Sequence, residues 1–181
     1  MKPTSLAMVM THSILEGLSA KWHGTLHARG EMVVQTPYSS ENDLVNALFA
    51  SLSAINAPWN LVAFAREFYY NRGRVDVIAL TDFGEVVAFE AKLSRWREAL
   101  HQAYRNRCLA HESYVVLPES AARLATTGEH EFLKRGVGLC SWSDNGLSVL
   151  LRASKGEPLQ PWLTNRATLA TSRAFDATNI M

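Results

Sequence analysis

Cysteine is scarce in this sequence: Cys108 and Cys140 are all that 181 positions hold. Two cysteines build no disulfide framework, and no Cys-x-x-Cys pair is present to hold zinc. Both stand in apolar stretches and are expected as buried thiols. Long hydrophobic runs are missing as well, so no segment reads as a membrane span. The stretch from Met1 to Met10 is too short and too broken by polar residues for a secretory leader, which points to a soluble, cytoplasmic protein. An excess of one charge sign is also lacking. The net charge is +1, so overall charge does not argue for a polyanionic partner, and local distribution must. No internal repeat or low-complexity tract is visible.

What remains is an ordinary globular composition. Hydrophobic residues make up 48% and charged ones 19%, enough for one sizeable core and far from a disordered chain. Three parts are expected: an N-terminal segment over 1–37, a core domain over 38–154 and a tail over 155–181. In the first, 13–22 has the spacing of a short amphipathic helix. His12, His23 and His27 match no metal-ligand spacing and read as surface histidines. The tail, with Pro158, Pro161 and many Thr, Asn and Ala, is expected to be extended or weakly helical, wrapping the domain or reaching a protein partner.

Within the core domain, Ser39 or Ser40 caps a helix whose first turn carries Glu41 and Asp43. Leu44, Val45, Leu48, Phe49, Leu52 and Ile55 recur along it at helical spacing, and it should end near Asn56-Ala57-Pro58. Three strands follow: 59–70, 75–80 and 86–89. Asn71-Arg72-Gly73 joins the first two, and Asp82-Phe83-Gly84 the second pair. A helix over 94–110 comes next, with Trp96, Ala99, Leu100, Ala103 and Tyr104 as its apolar stripe. The buried run 113–118 should then lie parallel to the third strand, as a strand–helix–strand unit of this size requires. Two short helical segments, 119–125 and 129–134, and a closing strand pair, 136–142 and 147–153, complete the domain.

The chemistry concentrates on the hairpin around Asp82-Phe83-Gly84. A three-residue loop with glycine in its last place pairs Thr81 with Glu85 and sets Asp76 opposite Glu90. Lys92 points to the same face as Glu90. Two carboxylates so placed repel each other unless a cation lies between them, and magnesium or manganese suits an all-oxygen donor set. The ammonium would hold an attacking water or a developing phosphate charge. Around the hairpin the sequence leans basic, and Arg72, Arg74, Arg95, Arg105 and Arg107 are candidate phosphate contacts.

Taken together, Arg74-Val-Asp76-Val, Phe89-Glu90-Ala-Lys92 and His101-Gln102-Ala-Tyr104 resemble the PD-(D/E)XK nuclease superfamily over residues 38 to 120. The pattern departs from it in having Val75 where a proline often precedes the aspartate. The resemblance implies an α/β restriction-endonuclease-like fold: a mixed sheet of an antiparallel meander plus a parallel crossover strand, flanked by helices. It further implies that Asp76 and Glu90 bind Mg2+ or Mn2+, that Glu41 joins them from the first helix, and that Lys92 positions the water. Gln102 would support the site or touch the nucleic acid. The expected function is metal-dependent hydrolysis of DNA in repair, recombination, restriction or phage defence, alone or as a homodimer. Two other readings stand beside it: a non-catalytic nuclease-fold module that binds DNA or serves assembly, and an α/β protein whose Asp–Glu–Lys face is an ordinary ion-pair cluster.

Overall fold

The structure is a computed structural model that describes residues 38–52, 59–71, 73–143 and 145–179. The expected 13–22 helix, the three N-terminal histidines, Arg72 and the end of the first helix at Pro58 lie outside the described residues.

Six strands form one mixed sheet in sequence order: β1 Leu61–Tyr70, β2 Gly73–Thr81, β3 Val86–Ala91, β4 Glu112–Pro118, β5 Gly138–Ser143 and β6 Gly146–Leu151. The β1–β2, β2–β3 and β5–β6 pairs are antiparallel, and β3–β4 and β4–β5 are parallel. Helix α1 spans Glu41–Leu52, α2 Trp96–Asn106, α3 Glu119–Ala125, α4 Glu129–Arg135 and α5 Pro161–Asn179. Helix α2 is the crossover between β3 and β4, and its length meets the connection that parallel strands need.

Alternation along β2 and β3 feeds two separate cores, because successive strand residues point to opposite faces. Val77, Ala79, Val87 and Phe89 pack with Leu48 and Leu52 of α1, and with Tyr114, Val116 and Cys140. Ile78, Val86 and Ala88 pack with Phe68, with Leu109 and Ala110 beyond α2, and with Leu163 and Ala167 of α5. Central strands covered on both faces explain why β2 and β3 are nearly continuous apolar runs in which any charge stands out.

The β2–β3 register is the one that the loop implies. Val77 pairs with Phe89 and Leu80 with Val86, and Thr81 N–H donates to Glu85 O at 2.9 Å. Gly84 adopts φ 77°, the left-handed position that closes such a loop. Ser40 is the α1 cap: its Oγ accepts from Asp43 N–H at 3.1 Å.

The C-terminal segment departs from expectation. Residues from Pro161 onward form the 19-residue helix α5, packed against β1, within the compact unit Thr36–Met181. Pro161 sits at the first helical position, where its missing N–H is harmless. Leu163, Ala167 and Thr171, at i, i+4 and i+8, form a buried seam. Among the described residues no helix is long and apolar enough to cross a membrane. Cys140 is buried, Cys108 is half-buried, and neither is in a disulfide.

Candidate metal-binding and catalytic site

The site lies where β2 begins and β3 ends. Asp76 is the fourth residue of β2 and Glu90 the fifth of β3, and they are 6% and 3% exposed. Carboxylates buried this deeply must be paired. Asp76 Oδ2 accepts the backbone N–H of Ala91 at 3.0 Å, which ties the aspartate to the strand of its partner acid. Its Oδ1 accepts from Arg74 Nη2 at 3.2 Å. Arg74 Nη1 bonds Glu67 Oε1 at 2.8 Å, so one guanidinium spans two carboxylates. Glu90 Oε2 accepts from Asn106 Nδ2 at 3.4 Å, and Asn106 Oδ1 accepts the Tyr70 hydroxyl at 3.0 Å.

Lys92 lies farther along the same strand end. Its ammonium donates to Glu41 Oε2 at 2.9 Å. Burial acts to lower the Lys92 pKa, but the Glu41 hydrogen bond and the charges of Glu41, Glu90 and Asp76 outweigh it and hold the group above its ordinary value. Lys92 is therefore a fixed positive charge. Glu90 is the acid without a cation of its own. Burial first, and the Asp76 charge second, push its pKa up to about 8, against the opposing pull of Lys92, Asn106 and Arg74.

In front of Asp76 a cleft of about 400 Å3 opens, lined by Glu41, Asn42, Val45, Arg66, Glu67, Arg74 and Asp76. Glu90 and Lys92 are not among its lining residues. A ligand that entered here would meet Asp76 first and the start of α1 beside it.

The donor set suits a hard divalent cation. Asp76 and Glu90 offer only carboxylate oxygens, and a cation between them would favour the ionised form of Glu90 that burial and Asp76 oppose. Among the described residues, no three His, Cys, Asp or Glu side chains are grouped to hold a metal. Glu41, expected as a third ligand, is bonded to Lys92 through Oε2. Two carboxylates with waters and substrate oxygens completing the shell is the usual manner of magnesium.

Other expected members are placed differently. Gln102 makes no hydrogen bond to Asp76 or Glu90. Its Oε1 is buried with no hydrogen-bond partner among the described residues. The helix α2 residue that does reach Glu90 is Asn106, one turn later. Tyr104, expected in the apolar stripe, is 50% exposed, while Asn106 is 1% exposed and occupies the stripe. Arg107 donates from its guanidinium to Arg135 O at 2.6 Å and packs against Gly136, whose φ of 62° ends α4. Arg95, just ahead of α2, is exposed and pairs with Glu98 in its first turn at 3.0 Å, and Arg105 is exposed. Of the four of these arginines among the described residues, Arg74 alone is bonded to a site acid.

The sequence reading missed Glu67, Tyr70 and Asn106. A signal for Glu67 was present. The two-residue loop Asn71-Arg72 pairs Tyr70 with Gly73 and carries Glu67 to the position across from Asp76. Asn106 was hidden because a polar residue late in a helix reads as a C-terminal cap.

No family model matches the chain, and no curated protein matches it. Among solved structures, a protein of unknown function from Silicibacter pomeroyi, SPO1766, is similar at a TM-score of 0.45 and 19% identity, over 65% of this chain and 75% of that one. A repair endonuclease from Pyrococcus abyssi is similar at a TM-score of 0.35 and 21% identity, over 54% of this chain and 47% of that one. This chain thus spans about half the length of that endonuclease. These scores are too low for either protein to bear on function, which rests on the site.

Proposed function

We propose that this chain is a divalent-metal-dependent deoxyribonuclease of PD-(D/E)XK type on a restriction-endonuclease-like fold. The observation that carries the reading is the pair Asp76 and Glu90, buried on adjacent strands with Lys92 one strand period beyond. A scaffold gains nothing from burying two neighbouring acids, since the second is forced toward its protonated form. A cation site does gain, because the acids are held ready for an ion.

Magnesium or manganese held by Asp76 and Glu90 would supply an acidified water and neutralise charge that develops on phosphate oxygens. The residues of the chain do the rest. Ala91 N–H fixes the Asp76 carboxylate, leaving its other oxygen toward the cleft. Asn106 orients Glu90 by a neutral amide, which steadies the carboxylate without cancelling its charge. Lys92, held by Glu41 through one of its three donors, has two N–H groups left for an anionic oxygen or an attacking water. Arg74 offers a fixed fork at the mouth of the cleft for a backbone phosphate. Gln102 is proposed to support the site from α2, one turn before Asn106. Protein and DNA partners meet this domain in the cytoplasm.

The test is incubation with single-stranded, duplex and branched DNA, with manganese, with magnesium and with chelator, beside Glu90→Ala and Lys92→Ala. Metal-dependent cleavage lost in both variants supports the reading. Cleavage undiminished in both contradicts it.

A further inference from the structure

Glu67 is a non-glycine residue with a positive φ, 55°, alone in this among the described residues. Left-handed backbone is unfavourable for a glutamate in the middle of a strand, and such residues persist where the surroundings impose them. The β1–β2 register runs through Arg66↔Val77 and Phe68↔Val75, which sets Glu67 across from Asp76. Asp76 is thereby flanked by an acid on each neighbouring strand, Glu67 on β1 and Glu90 on β3. The side chain of Glu67 lines the cleft and takes one arm of the Arg74 fork, while the other arm rests on Asp76. Both Glu67 and Arg74 are about half exposed. An exposed pair of this kind contributes little to stability, so it does not account for the strained backbone.

We propose that Glu67 is a positioning residue that tethers Arg74 across Asp76, making Arg74 the counter-ion of the metal-free site and its phosphate contact once a divalent cation has taken Asp76. This rests on the metal-dependent reading and deepens it. In the absence of metal the guanidinium balances Asp76. When a cation arrives, Arg74 gives up the Asp76 arm but keeps the Glu67 arm, so it stays at the cleft mouth with donors aimed at an incoming phosphate. Without the Glu67 arm the guanidinium, still bonded to Tyr69, shifts toward Asp76 and competes with the cation.

The test is a double-mutant cycle on manganese affinity, measured by calorimetry without nucleic acid, on wild type, Arg74→Gln, Glu67→Gln and the double variant. Arg74→Gln removes a positive charge next to the site and is expected to tighten manganese binding by about three- to tenfold. Glu67→Gln is expected to weaken it by a similar factor in the wild-type background and to change it less than about twofold once Arg74 is gone. An equal effect of Glu67→Gln in both backgrounds overturns the proposal, because Glu67 then acts as a plain charge. Glu67→Gly supplies a second readout. It is expected to melt at or above the wild-type temperature, since glycine relieves the left-handed backbone, while weakening manganese binding as Glu67→Gln does. A much lower melting temperature marks Glu67 as merely structural and overturns the proposal. Wild type that takes up no manganese removes the metal reading itself and this inference with it. Wild-type binding with all variants alike removes this inference alone.

Discussion

Lys92 and Glu41 meet at 2.9 Å, nitrogen to oxygen, across 51 residues of sequence. The lysine side chain is 12% exposed and the glutamate 42%. The pair joins the end of β3 to the start of α1, and through it Glu41 fixes the ammonium.

An asymmetry between the two partners follows. Glu41→Gln leaves a mostly buried ammonium without its counter-ion and is expected to cost about 1–3 kcal/mol. Lys92→Met leaves a half-exposed carboxylate that water can solvate, and is expected to cost less than about 1 kcal/mol. For nucleolytic activity the order reverses, with Lys92→Met the more damaging. Denaturant unfolding and a cleavage assay on both variants check this.

Glu90 makes stability depend on pH. Its folded pKa, about 8, lies above the ordinary value of 4.5. Between those two values the folded protein keeps a proton that the unfolded chain releases. The contribution of Glu90 is therefore fully present below pH 4.5 and is lost as pH rises through 8. Glu90→Gln stays neutral throughout, so the variant should gain on wild type as pH rises, by a melting-temperature difference on the order of 5 °C at pH 8.5 without metal. Thermal melts from pH 5 to 8.5 measure it, and curves that run parallel would count against the burial of an uncompensated Glu90.

Asn106 couples Tyr70 to Glu90. Tyr70→Phe alone should cost roughly 0.5–1.5 kcal/mol, and Asn106→Ala about 1–3 kcal/mol, because it strips a buried carboxylate of its donor. The two losses share one bond, so the double variant should fall short of their sum by about 0.5 kcal/mol or more. Additive losses would mean that the bond at 3.0 Å between Tyr70 and Asn106 does not couple them.

Much of this was legible before the fold was. The three-residue loop ending in Gly84 allows only one register, and that register alone sets Asp76 across from Glu90. The β3–α2–β4 crossover was readable because its length and burial leave few topologies. Long-range pairing was not legible. Nothing near Glu41 says that Lys92 will meet it, and Gln102 and Asn106 share one face of α2, a turn apart, so which of them reaches Glu90 depends on where the helix docks along the sheet. Arg107 read as a surface cation because its partners are backbone carbonyls, which leave no mark in sequence. Helix α5 was obscured by Pro158 and Pro161, although its Leu163, Ala167 and Thr171 seam was present in the chain.

The most direct measurement of the central claim is calorimetric titration of manganese into the metal-free protein, beside Asp76→Asn and Glu90→Gln. One site in wild type, weakened at least about tenfold by either change, with proton release as Glu90 ionises on metal binding at pH 7, is the expected result. No uptake by wild type, or equal uptake by all three proteins, would contradict it.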